Sequence, residues 1–129
     1  MFVTYLCNSK QKCKQFMPEN KRNEIATHLN WFSATLRPCV KRITHLIAGP
    51  KCFGMVPNAK DLSAEKALLA GLMEKLDQML DNNFTFFCSS KDLTVVDIVF
   101  FNEIYAASKL SGVAPNSNLV KLNNWMTAI

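Results

Sequence analysis

The stretch that decides the fold is LTVVDI, residues 93–98. A threonine followed three residues later by an acid, at the start of an apolar run, is the pattern of a capping box. Thr94 is the expected N-cap: it accepts a hydrogen bond from the amide of Asp97, and the Asp97 carboxylate accepts one from the amide of Thr94. Leu93 and Ile98 can pack together across this helix start as a hydrophobic staple. The pattern favours a structural capping role for Asp97 over a catalytic one.

The helix that begins here continues to about Leu110, before Gly112. It is so apolar that we expect it to be the central, most buried helix. Apolar residues spaced by three or four predict three further helices, over residues 19–48, 63–83 and 118–129. The predicted fold class is therefore all-α, a helical bundle without a β-sheet.

Proline and glycine punctuate the first long helix and the segment after it. Pro38 lies inside the helix and predicts a kink there. Gly49-Pro50 is expected to close the helix, so residues 49–61 are predicted to form a loop. Ser63 is the expected N-cap of the next helix.

Length and composition indicate one domain. The chain has 129 residues, of which 49% are apolar, enough for a single core. No apolar run approaches the roughly 18–20 residues that cross a bilayer, and the first residues do not have the order of a signal peptide. The sequence therefore predicts no membrane-spanning segment.

Charge and cysteine usage bear on partners and compartment. The formal net charge is +5, but the basic residues are scattered, and their densest stretch near the N-terminus is expected to be solvated. We therefore expect no nucleic-acid partner. The five cysteines are odd in number and include no CxxC motif, which favours an intracellular, reducing compartment. The cytoplasm is the simplest choice, and an organelle stays open.

Few side chains are candidates for chemistry. No cysteine or carboxylate stands at metal-ligand spacing from either histidine, His28 or His45, so we expect no metal site and name no catalytic residue. Arg37 allows two interpretations. Its stem can cover apolar surface while its head stays in water, or its guanidinium can bind an anion.

Four stretches, in the same order along the chain, resemble the C-terminal helical domain of cytosolic glutathione S-transferases, with the theta-like classes most similar. Residues 93–98 resemble the L-[ST]-x-A-D-[LI] element of that domain's core helix. Residues 31–38 (WFSATLRP) resemble its W-x-x-x-x-[LI]-R stretch, and residues 118–129 resemble its final helix. Residues 84–90 stand where the family has a glycine-containing connector, although a serine replaces the glycine here.

The resemblance implies a division of the chain. Residues 19–129 correspond to the transferase C-terminal-like helical domain, and residues 1–18 to a remnant of the interdomain helix and linker. The family's thioredoxin-like N-terminal domain, which binds glutathione and carries the catalytic residue, has no counterpart in this sequence. The resemblance also implies that Arg37 is the position of a glutathione-side contact.

These implications lead to a non-catalytic module that binds other proteins, in a larger assembly or a dimer, without a cofactor. The alternative is a fragment or degenerate form of a theta-like transferase that conjugates glutathione to electrophiles, and only this reading requires glutathione. A carrier of apolar small molecules is a third possibility, motivated by the phenylalanine-rich connector.

Overall fold

Helices form the regular secondary structure of residues 15–129, the part of the chain that the computed structural model describes. The predicted all-α helical bundle is confirmed: the described residues contain no strand beyond an isolated bridge between Phe86 and Ser90. In chain order the elements are a 3₁₀ turn (Glu19–Lys21), α1 (Arg22–Trp31), a π-helical turn (Phe32–Leu36), α2 (Arg37–Phe53), α3 (Ala59–Met79), α4 (Val95–Ser111) and α5 (Val120–Ala128).

α1, the π-helical turn and α2 follow one another without leaving the right-handed helical region. The amide of Arg37 donates to the carbonyl of Phe32, five residues back, which is the π-helical bond. Pro38 follows directly. Its ring lacks an amide hydrogen and crowds the carbonyl four residues earlier. At the place where the sequence predicts a kink, the structure has one wider helical turn, and the kink itself stays a prediction.

The predicted ends of the first two long helices were wrong. α2 does not close at Gly49-Pro50 but runs to Phe53 and ends at Gly54, whose φ of 67° is left-handed. α3 does not begin at Ser63. Asn58 is its N-cap, and the Asn58 side chain accepts a hydrogen bond from the Asp61 amide at 3.1 Å. Asparagine caps a helix as well as serine does, so the earlier residue sets the start and the loop shrinks to residues 54–58.

Phe100 on α4 lies at the centre of the core, as expected for the most apolar helix. It is fully buried, and its ring lies 4.9 Å from Phe87 in the connector and 5.9 Å from Phe32 in the π-helical turn. Phe87 in turn packs edge-on against Trp125 of α5 at 5.0 Å. Edge-to-face aromatic pairs add stabilisation beyond their buried area. These rings join the connector, α4, α5 and the first long helix.

The C-terminal end of α3 and the first turn of α5 cap each other. Asp77 Oδ1 accepts from the amide of Leu122 at 2.9 Å, and Lys121 Nζ donates to the carbonyl of Leu80 at 3.0 Å. The amides at a helix start and the carbonyls at a helix end lack intrahelical partners. Each helix therefore supplies a side chain that satisfies the other, and α5 begins at Val120 rather than near residue 118.

The connector between α3 and α4 makes a strained turn. Phe87 is fully buried, in agreement with the prediction that phenylalanines bury this segment. Cys88 and Ser89 have φ of 62° and 49°, a left-handed conformation that favours glycine. A non-glycine residue there costs roughly 1–2 kcal/mol.

We therefore predict that Ser89→Gly raises the free energy of unfolding by about 0.5 kcal/mol. The relief of strain outweighs both the greater unfolded-state entropy of glycine and the loss of the long hydrogen bond, 3.4 Å, from the Ser89 hydroxyl to Asp81. Ser90→Gly is the matched control. The Ser90 hydroxyl hydrogen-bonds both the amide and the carbonyl of Asp92, so its loss should destabilise by about 1 kcal/mol. Urea unfolding midpoints measure both. Equal destabilisation by the two variants would contradict the strain at Ser89.

Candidate functional site

Asp97 is completely buried and accepts four hydrogen bonds. Its Oδ2 accepts from the Thr94 amide at 2.8 Å and from the Thr94 hydroxyl at 2.9 Å. Its Oδ1 accepts from the Phe87 amide at 3.0 Å and from Trp125 Nε1 at 2.8 Å. The structure thus has a capping box at the start of α4 and extends it to the connector and α5. A buried charged group is tolerated when hydrogen-bond donors surround it in this way.

The role of Asp97 is structural, because both oxygens of its carboxylate accept hydrogen bonds from groups of the protein itself. Leu93 and Ile98 are both half-buried, and their staple contact stays a prediction. The sequence pointed only to the local pair with Thr94. One further signal was available: the indole N–H of a buried tryptophan such as Trp125 needs an acceptor.

Asp97→Ala is predicted to lower the free energy of unfolding by about 3 kcal/mol or more, since it leaves several buried donors unsatisfied. Asp92→Ala, which removes an exposed carboxylate five residues earlier, should change it by less than about 0.5 kcal/mol. Chemical denaturation followed by tryptophan fluorescence gives both values. A loss of only about 1 kcal/mol for Asp97→Ala would mean that Asp97 acts as a helix cap alone.

The two buried thiols of the described residues are not poised for chemistry. Burial, followed by the charges of Glu24 and Asp97, raises the pKa of Cys88 to about 12. Burial and Glu65 raise the pKa of Cys39 to about 11. Both thiols stay protonated at neutral pH, and a protonated thiol is a poor nucleophile and a poor metal ligand.

His28 lies near the buried thiol of Cys88. His28 Nδ1 lies 2.7 Å from the carbonyl of Glu24 and 3.6 Å from Cys88 Sγ. Residues 15–129 contain no group of three or more His, Cys, Asp or Glu side chains that could hold a metal ion.

Arg37, the predicted anion contact, is half-exposed and forms an ion pair with Glu103 of α4. It directly follows the π-helical turn and lies on the wall of an open groove between α2 and α4. Arg37 therefore cannot bind another anion without sharing its guanidinium with Glu103 or releasing it.

The α2–α4 groove has a volume of about 500 Å³, and two adjacent rows of α2 residues border it. Every fourth residue of α2 lies along it: Arg37, Lys41, His45, Gly49 and Phe53. Residues four apart form a ridge along one side of a helix. The row therefore begins with two cations and a histidine and ends with an aromatic ring.

Lys41 and His45 border a second groove as well, of about 480 Å³, between α2 and α3. Arg42, which also borders this second groove, pairs with Glu65 at 2.7 Å. Within residues 15–129, by contrast, the exposed side chains of Lys41 and His45 form no hydrogen bond or ion pair. The ridge between the two grooves thus carries two polar groups that have no partner in the described part of the chain.

Three large apolar side chains are exposed at the end of α2 and just beyond it, and we call them the apolar cluster. Phe53 is 79% exposed, Val56 88% and Met55 43%. Met55 folds back over Gly49: its amide donates to the Gly49 carbonyl at 3.3 Å, and a Cβ on Gly49 would lie 2.8 Å from its Sδ. Because Gly49 has no side chain, Met55 can lie against the helix there, one turn before Phe53, which lines the end of the groove.

The sequence prediction singled out Arg37 and missed the rest of this surface. The four-residue spacing of the row was visible in the sequence. The exposure of Phe53 could not be predicted from the sequence, because residues 49–61 were predicted to be a loop, whereas the helix continues to Phe53.

Comparisons of this chain with protein-family models, with curated proteins and with solved structures found no match. No helix in residues 15–129 combines the length and the apolar character needed to cross a membrane.

Proposed function

We propose that this chain is a non-catalytic module that binds other proteins, similar in architecture to a transferase C-terminal-like helical domain. The observation that carries the proposal is the apolar cluster at the end of the α2–α4 groove. Exposed apolar side chains that lie together beside a groove are typical of protein-binding surfaces.

The position of the cluster supports this role. Phe53 and Val56 expose most of their surface, whereas 22 apolar residues of the described range form a buried core without them. Burying a phenylalanine side chain is worth roughly 1.5–3 kcal/mol. A partner that covers the cluster would gain that energy, and the fold does not use it.

A protein is a better partner here than a nucleic acid. Both arginines that border the two grooves pair with acids: Arg37 pairs with Glu103, and Arg42 pairs with Glu65. A nucleic-acid surface is typically a basic patch or stripe on one face of a protein, and these acids interrupt it here. We also propose a reducing intracellular compartment, with which the free thiols Cys39, Cys52 and Cys88 are compatible.

One observation favours the second candidate, a theta-like glutathione transferase present here as a fragment or degenerate form. Arg37 lies half-exposed at the groove, where a carboxylate of glutathione could compete with Glu103. That competition requires a catalytic domain to hold the rest of the molecule, so we rank this function second.

Native mass spectrometry of the protein isolated from its own source tests the proposal. We expect the 14.6 kDa chain within a larger assembly of defined composition. A monomer with no partner would contradict the proposal. A heavier chain that contains these residues and is retained on immobilised glutathione would support the transferase instead.

A further inference from the structure

We propose that the α2–α4 groove binds an acidic amphipathic helix of a partner protein, with carboxylates on Lys41 and His45 and an apolar side chain on the apolar cluster. This inference rests on the proposed function and adds the chemistry of the partner.

The charge of the groove selects an acidic partner. Glu103 is the carboxylate among its lining residues, and Arg37 already pairs with it. Asp61 borders the other groove and accepts a hydrogen bond from Asn58 Nδ2 at 2.7 Å. Lys41 and His45 are thus left without partners in the described range, and each can donate a hydrogen bond to a carboxylate of the partner.

The spacing of the row favours a helical partner segment. Lys41 and His45 are four residues apart, which places them about 6 Å apart along the axis of α2, close to one helical turn. Two carboxylates on successive turns of a partner helix have the same spacing. Phe53 lies eight residues beyond His45, about 12 Å further along the axis. An apolar residue two turns beyond the second carboxylate would therefore reach Phe53.

Small residues along the groove allow close approach. Ala48 of α2 and Ala106 of α4 line it between the polar end and Phe53. The distance between packed helices depends on the side chains at the contact, and small ones permit the shorter separations. A partner helix can lie along the groove with its own ridge between α2 and α4.

Fluorescence anisotropy with two labelled synthetic helices tests the proposal. The first is an alanine-rich peptide with two glutamates one turn apart and a leucine two turns further on. The second carries lysines in place of the glutamates. We expect the intact chain to bind the glutamate peptide at least about tenfold more tightly than the lysine peptide, since the contact with Lys41 turns from attractive to repulsive and the contact with His45 loses its carboxylate.

Variants of the protein make the test specific. Lys41→Glu combined with His45→Glu should reverse the preference between the two peptides. Phe53→Ser should weaken the binding of the glutamate peptide without changing that preference. Lys75→Glu is the matched control, because Lys75 is an exposed cation of α3 outside both grooves, and it should leave the preference intact.

Three results would overturn the inference: no measurable binding of the glutamate peptide, equal binding of the two peptides, or the same response from Lys75→Glu as from the double variant. Its failure is distinguishable from that of the proposed function. If the native assembly persists with Lys41→Glu and Phe53→Ser, the chain still binds proteins, but by another surface.

Discussion

The fold depends on one buried carboxylate. Asp97 accepts hydrogen bonds from Thr94, from the Phe87 amide and from the indole of Trp125, so a single side chain starts α4, fixes the connector and anchors α5. Burial of a charge without donors would cost several kcal/mol. With four donors, the same burial specifies how three segments meet. The aromatic contacts of Phe87 with Phe100 and Trp125 surround this network and depend on the position it gives to the connector.

Local signals in the sequence were sufficient for the fold class and for the helix start at Thr94, since a capping box involves residues only three apart. Contacts between distant segments were not predictable. The Phe87 and Trp125 bonds to Asp97 join residues ten and 28 positions away, and the Asp77 cap on Leu122 joins residues 45 apart. The predicted end of α2 was wrong for a different reason. Gly49-Pro50 and Gly54 are both signals for a helix end, and the sequence alone does not decide between them.

The candidate site shows the same division. The row of Arg37, Lys41 and His45 is a matter of spacing and can be read from the sequence. The sequence does not show which of these side chains are free to bind a partner, because Glu103, which pairs with Arg37, lies 66 residues away on α4. The structure thus separates a buried polar network, which holds the domain together, from an exposed face. That face offers the apolar cluster and the side chains of Lys41 and His45, which have no partner within residues 15–129. In this account Asp97 serves the first, and the α2–α4 groove serves the second.

Hydrogen–deuterium exchange of the chain, isolated and in its native assembly, tests this separation most directly. We expect the assembly to protect the amides of the loop at residues 54–58 and of the adjoining end of α2. The Phe87 and Thr94 amides, bonded to Asp97, should exchange slowly in both states. Protection confined to a face away from the α2–α4 groove, or rapid exchange of the Phe87 amide in the isolated chain, would contradict it.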